Sequence, residues 1–502
     1  MLITRRKATA ALGAGAVASA NSCAWMRPKQ TRKNILFIMS DDHAAKYLGC
    51  YGNAFIKTPN LDRLALDGAR FENAFCTNSL CAPGRATILT GTYSHINGIK
   101  GNSEAKDAQE YMSMGIQTFP EVLQQAGYHT GVVGKWHLSD RPKGFEYTCV
   151  LPGQGVYMNP ILHENGEARQ FQGHVTDVTT DIALKFLAAA PADKPWCLLY
   201  HHKAPHRPFQ PPARYAGRFK DFEIPYPETF NDDYATRKVA HEAEDMRLDV
   251  SLAADYPDMP AKLSQQERKR WLFQRFAKDY CAGVEAIDEN IGRVLEYLDK
   301  HNLTEETLII YTTDNGFFVG EHGWYDKRFM YEPSMRIPLI IRWPTAPKAR
   351  ISDHLVANID IAPTILDYAG VTAPEQVQGK SLRGIVNGGQ QTLWRKSLYY
   401  AYYENSWSLR GKGAAAMSDP TFQYFTAHRV SPHRGVRTAT HKLIYYYSEG
   451  PGYYELFDLR KDPHELNNLY GRREESNLAG DLRFELQQLR EQFGDTGPAA
   501  KG

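Results

Sequence analysis

Five places in the chain carry side chains whose types and spacing could do chemistry together. Cys81, Pro83 and Arg85 stand in "SLCAPGRATILTG"; Asp41 and Asp42 end "NILFIMSDDH"; Asp314 and Asn315 end "TLIIYTTDNG". Lys135 and His137 lie in "GVVGKWHL", and Lys203 and His206 in "WCLLYHHKAPH". The carboxylates and the amide offer only oxygen donors, the set a hard divalent cation takes, calcium first and magnesium second. Read singly, each Asp or Asn pair fits a turn or a helix cap equally well. Pro83 suits the first turn of a helix that Gly91 can close, so Cys81 falls at a helix N-terminus, where backbone amides favour an anion. Arg85, one turn on, can aim a guanidinium at the same anion. A thiolate nucleophile would be favoured there too, but a phosphatase-type loop wants its arginine six residues after the cysteine, and position 87 is Thr. An inert buried thiol is the ordinary alternative.

Those groups need elements to position them. Four continuous apolar runs each end in charged or imidazole residues, and such runs fit strands buried on both faces of a sheet. Between them lie helical patterns, among them "TPNLDRLALDGARF", "TFPEVLQQAGY", "TDVTTDIALKFLAAA" and "YCAGVEAIDENIGRVLEYLDKH". The alternation predicts an α/β fold on a mainly parallel sheet. Ligands in such folds bind beyond the carboxyl ends of the strands, so four strand ends can build one site. The short helix after Cys81 reads as amphipathic. Residues from about 214 to 270 break the alternation and read as a long surface excursion bordering the site. After about residue 388, aromatic strands in "LWRKSLYYAYYE", "HRGVRTATHKLIYYY" and "YYELFDLRKDP", then "NLAGDLRFELQQLREQF", predict a small antiparallel sheet with a packed helix.

At 502 residues, 42% hydrophobic and 23% charged, the chain is an ordinary globular protein of more than one core. Its start, "MLITRRKATAALGAGAVASANSCAW", reads as an export leader of residues 1–26 with twin arginines, which directs the chain to the periplasm. The run from Ala8 to Ala20 is too short and weakly apolar to span a bilayer, so the mature chain has no integral membrane span. Cys23 as a lipid anchor is the rival reading, against which Asn21 stands. The formal charge is +2, and the leader removes Arg5, Arg6 and Lys7, so no basic field for nucleic acid remains. Seven cysteines without CxxC spacing argue against a structural zinc site.

"CAPGR" matches the CxPxR signature of the type I, formylglycine-dependent sulfatases, and the chain resembles that family through a whole ordered set of blocks. They are "NILFIMSDDH", "KTPNLDRLA", "GVVGKWHL", "HHKAPHRPFQPP", "TTDNGFFVGEHGWYDKRFMYE" and "YELFDLRKDPHELNNL". The resemblance implies an alkaline-phosphatase-like α/β core, with a catalytic domain over residues 27–388 and a C-terminal subdomain over 389–502. It implies that Cys81 is oxidised to formylglycine by a formylglycine-generating enzyme or radical maturase, and that one oxygen of the hydrated aldehyde, lying on Ca2+, attacks the ester sulfur. The second hydroxyl then drives elimination of sulfate. Carried over residue by residue, Asp41, Asp42, Asp314, Asn315 and the modified Cys81 hold the metal, and Arg85 holds the hydrate. Lys135 and His137 contact sulfate and diol, with His137 the base; His206 and Lys327 flank the leaving oxygen, with His206 the general acid.

The same blocks look most like bacterial carbohydrate sulfatases acting on N-acetylglucosamine 6-sulfate, which makes a sulfated carbohydrate the expected substrate. Gln154, Asn159, Arg207, Trp324 and Arg328 are the expected sugar-binding rim. Uronate 2-sulfates, a formylglycine-dependent phosphonate or phosphodiester hydrolase, and a non-catalytic glycan-binding relative are the alternatives.

Overall fold

A computed structural model describes residues 33–102, 116–138, 142–389, 391, 393–404, 428–449 and 452–497. The leader and Cys23 fall outside the described residues.

The run Asn34–Ser40 forms β1, and all seven of its residues are buried. Ile35, Phe37 and Met39 enter one apolar core and Leu36 and Ile38 another. Side chains alternate along a strand, so a run that is apolar at every position must have both faces covered.

The remaining strands of the large sheet are β2 (Ala69–Phe71), β3 (His129–Lys135), β4 (Tyr147–Leu151), β5 (Ile161–Glu164), β6 (Glu167–Gln170), β7 (Trp196–His201), β8 (Thr307–Thr313), β9 (Leu339–Arg342) and β10 (Arg350–Ser352). Their order is β10-β2-β9-β8-β1-β7-β3-β4-β5-β6. The central five, β8-β1-β7-β3-β4, are parallel. Antiparallel pairings on both sides make the whole sheet mixed.

Helices α1 (Pro59–Leu66), α4 (Val175–Ala189) and α5 (Gln265–Lys300) cover the Leu36 face. Helices α2 (Cys81–Thr90), α3 (Phe119–Gln125) and α6 (Ile361–Ala369) cover the other. Two expectations change here. The helix after Cys81 is not amphipathic: all ten of its residues are buried, because α3, α6 and the turn at Asn358–Asp360 enclose it. The excursion from 214 is also shorter than its polarity implies. Ser264 caps α5 by accepting from the Glu267 amide, while Glu267 returns to the Ser264 amide, so α5 starts at Gln265, inside the stretch read as excursion and ahead of the helical pattern that begins at Tyr280.

Past residue 388, β11 (Ser397–Tyr402), β12 (His433–Thr438), β13 (His441–Tyr446) and β14 (Tyr453–Asp458) form an antiparallel meander. Helix α7 (Ser476–Phe493) packs on it through Leu482, Leu486 and Leu489. An ionic knot joins this sheet to the turn Glu332–Met335. Lys442 Nζ reaches Glu465 at 2.5 Å and Glu332 at 3.0 Å, and Arg437 reaches Glu332 at 3.2 Å. The turn in turn accepts the Gly316 amide through the Ser334 carbonyl at 2.9 Å, just after Asp314 and Asn315. Lys442→Met leaves the buried Glu465 carboxylate without a cation, while Glu332 keeps Arg437, and is expected to lower unfolding free energy by about 3–5 kcal/mol, read as a shift in denaturant midpoint; an unchanged midpoint would refute the knot's role.

All six cysteines among the described residues are free. No helix among them is long and apolar enough to cross a membrane.

Candidate active site at the strand ends

Parallel pairing of β1 and β8 in the register Ser40 to Thr313 puts the next residues of both strands side by side. Asp41, Asp42, Asp314 and Asn315 therefore meet, each with no exposed surface. The Asp42 amide donates to Asp314 Oδ1 at 3.2 Å, and Asn315 Nδ2 to Asp42 Oδ1 at 2.7 Å. Oxygens of Asp41, Asp42 and Asp314 all lie within 4.8 Å of one another.

Cations oppose them. Arg85 donates through Nε to Asp314 Oδ2 at 3.0 Å and through an Nη to the Lys135 carbonyl at 2.6 Å. Lys135 Nζ bonds to Asp41 and to Gln154 Oε1, the latter at 2.6 Å. Lys327 Nζ reaches both Asp42 oxygens at 2.7 Å. Burial opposes ionisation of Asp41, but Lys135 and Arg85 overcome it and hold the carboxyl well below the usual range. Asp314 goes the other way: burial and the neighbouring Asp41 push it up to about 7. Such a cluster gains from one more positive centre. Asp41 Oδ1 and Asn315 Oδ1 are buried without a hydrogen-bond partner, and all-oxygen donors at this spacing fit a hard divalent cation.

Cys81 sits in the same place: a triad of Asp41, Cys81 and His206 ligand atoms also lies within 4.8 Å. Gly84 explains how α2 comes so close. A Cβ there would stand 2.4 Å from the Asp314 carbonyl oxygen, so the helix can rest on the end of β8 only without a side chain at that position. Gly84→Ala must push α2 away from Asp314. An overpacking cost of roughly 1–3 kcal/mol and a large fall in turnover are expected, and a variant with wild-type melting and kcat would refute the contact. Burial pushes the Cys81 thiol up rather than down, unlike an activated thiolate.

Gly134, the penultimate residue of β3, has φ +97° and no room for a Cβ beside the His201 carbonyl. That bend delivers Lys135 and then His137, whose own φ is +58° and whose Nδ1 is buried without a partner. Burial and then Lys135 keep His137 well below its usual range, hence neutral. His206 follows β7. Its Nδ1–H donates to the Arg207 carbonyl at 2.5 Å, which leaves Nε2 3.7 Å from Asp42 Oδ2. Burial, and Lys135 after it, lower His206 as well.

A cavity of about 540 Å³ opens beside His206, lined among others by Gln154, Val156, Tyr157, Lys203, Arg207 and Gln210. Of the expected rim, Gln154 and Arg207 line it, and Arg207 is fixed by Asp255 at 2.8 and 2.9 Å. The other three do not line this cavity. Trp324 is fully buried, stacked between Tyr234 at 5.3 Å and Phe329 at 4.8 Å, and has no free face. Asn159 is exposed in a turn with φ +48°, and its Oδ1 accepts the Gly173 amide. Arg328 is buried against Glu404 at 2.9 Å and Tyr402 at 3.3 Å. Tyr157 and Asn102 escaped the sequence reading. The Tyr157 hydroxyl donates to the His206 carbonyl at 2.5 Å, and Asn102 Oδ1 accepts the Ala82 amide at 3.1 Å. Neither belongs to a pattern that spacing reveals.

The sulfatase family profile matches residues 33–371. The chain belongs to the sulfatase family. It is accordingly a sulfuric ester hydrolase, of a family that generally uses formylglycine and a divalent metal. A second profile, the C-terminal region of N-sulphoglucosamine sulphohydrolase, matches residues 409–492. An N-acetylglucosamine-6-O-sulfatase of Bacteroides thetaiotaomicron is 38% identical over 97% of this chain and 91% of its own length. Among solved structures, a protein in complex with its substrate D-glucosamine-2-N,6-O-disulfate superposes with a TM-score of 0.83 at 38% identity, covering 93% of this sulfatase and 99% of that chain. A phosphonate monoester hydrolase of Agrobacterium radiobacter shares the fold, with a TM-score of 0.72 at 20% identity over 92% of this chain and 96% of its own. These neighbours agree with the expected alkaline-phosphatase-like core and its small antiparallel C-terminal sheet.

Proposed function

We propose that this sulfatase removes the 6-O-sulfate of glucosamine units in a sulfated glycan, using formylglycine made from Cys81 and one Ca2+. The observation that carries the reading is the meeting of Cys81, Asp41 and His206 within 4.8 Å at the edge of a sugar-sized cavity. Asp41, Asp42, Asp314 and Asn315 hold the cation, which supplies electrostatic stabilisation of negative charge on oxygen. Formylglycine hydrate supplies an oxygen nucleophile where a high-pKa thiol would not serve.

The chain's own groups do the rest. Arg85, fixed from two sides, orients residue 81. Lys135 and Lys327 face the sulfate oxygens and offset their charge. His137, neutral and with a free ring nitrogen, takes up the proton released at residue 81. His206 presents Nε2 to the departing sugar oxygen, and the anionic ester brings the negative charge that its imidazolium form needs. Gln154 and Arg207 face the sugar. The domain limits at 388 and the export of the chain to the periplasm by residues 1–26, with a cytoplasmic maturase acting on Cys81, belong to this proposal.

The test is sulfate release by the matured enzyme from defined sulfated monosaccharides. Release from N-acetylglucosamine 6-sulfate or its N-sulfated counterpart is expected. Release confined to uronate 2-sulfates, or to phosphonate esters, would overturn the assignment. His206→Ala should cut kcat by roughly 10²–10⁴-fold on sugar sulfates. It should do far less on 4-nitrophenyl sulfate, whose leaving group departs without a proton. Equal losses on both would remove the general-acid role.

A further inference from the structure

The cations around the site share one property, with one exception. Lys135 has Asp41, Lys327 has Asp42, Arg85 has Asp314, Arg207 has Asp255 and Arg328 has Glu404. Lys203 is 2% exposed, and its ammonium touches no carboxylate among the described residues. It donates to two main-chain carbonyls, Gln154 at 3.0 Å and Arg207 at 3.5 Å, and lies 4.9 Å from the centre of the Tyr157 ring. An ammonium has three N–H donors, so one is left over. A buried cation without a counter-charge is costly, and natural sites keep one where a ligand supplies the charge. Burial, with Lys135 second, lowers Lys203 to about 7 against the opposing pull of Asp41, Cys81 and Asp42, so an anion bound at this amine would favour its charged form.

Position indicates which anion. Lys203 lines the cavity with His206, Gln154 and Arg207, where the departing sugar must lie, whereas Arg85, Lys135 and Lys327 pair directly with the carboxylates beside Cys81. We propose that Lys203 binds a second anionic group of the substrate, a sulfamate on the same ring or a carboxylate on the adjoining one, so that this enzyme prefers doubly charged glycan units. The inference rests on the sulfatase reading above and deepens it.

The experiment compares matured wild type with Lys203→Met on three substrates: glucosamine 2-N,6-O-disulfate, N-acetylglucosamine 6-sulfate, and a disaccharide joining N-acetylglucosamine 6-sulfate to a uronate. Loss of a charged hydrogen bond should lower kcat/KM by about 10- to 100-fold on the disulfate or on the uronate disaccharide, mostly through KM. Which of them falls identifies the anion. The loss on N-acetylglucosamine 6-sulfate should be at least about tenfold smaller, and Lys203→Arg should recover part of the preference. Equal losses on all three substrates, or none on any, would overturn the proposal. Calorimetric binding of the same sugars to Cys81→Ser protein with calcium, with and without Lys203→Met, reads the preference without turnover. A wild type that releases no sulfate would thus count against the substrate reading alone, while the binding difference still decides Lys203.

Discussion

Cys81→Ala protein, produced beside the same maturation machinery as wild type, should release sulfate at least about 10⁴-fold more slowly from any sugar ester. The site would keep its carboxylates, Arg85 and both lysines, so substrate affinity should change far less than kcat. Two measurements check this together. Turnover gives the loss, and mass spectrometry of the wild-type peptide spanning Ser79 to Gly91 should find an aldehyde in place of the thiol. A wild-type preparation fully active with an intact thiol at position 81 would refute the formylglycine proposal. The structure supplies the physical reason for expecting otherwise: burial raises this thiol, so little thiolate exists near neutral pH.

Stripping the divalent cation with a chelator should lower turnover by more than about 100-fold, and should lower the melting temperature as well. Binding only to the folded state stabilises it by mass action. Without the cation, Asp41, Asp42 and Asp314 keep their oxygens within 4.8 Å of one another, balanced only by lysines and an arginine that the sulfate also needs. Calcium should restore activity better than magnesium, because the donors are four side chains from two strand ends rather than a preset octahedron. Full activity in chelator, with metal content shown to be zero, would overturn the metal assignment. Asp314→Ala should reproduce the chelated state in turnover, and added calcium should not rescue it.

The parts legible in the sequence share a physical cause. The run before Asp41 is apolar at every position because β1 is covered on both faces, and carboxylates at its tip break the pattern so abruptly that they demand a partner. The same holds for β8 before Asp314. What stayed hidden depends on residues far away in the chain. Trp324, flanked in sequence by Asp326, Lys327 and Arg328, reads as an aromatic rim, yet Tyr234 and Phe329 close both its faces. Helix α2 reads as one-sided because nothing local announces that α3 and α6 will enclose it. Lys203 sits in plain view after β7, but its lack of a carboxylate partner among the described residues becomes visible only in the folded arrangement.

The burial of α2 also constrains the order of events in the life of the chain. All ten residues from Cys81 to Thr90 are enclosed, and Cys81 itself has no accessible surface. A second enzyme cannot reach that side chain in the finished fold without dismantling the core around it. Under the formylglycine proposal, oxidation of Cys81 therefore has a deadline: it must be complete before this segment closes, during or soon after synthesis. A chain that folds first is committed to remaining an unmodified, inactive protein. Expression conditions that slow folding should accordingly raise the modified fraction.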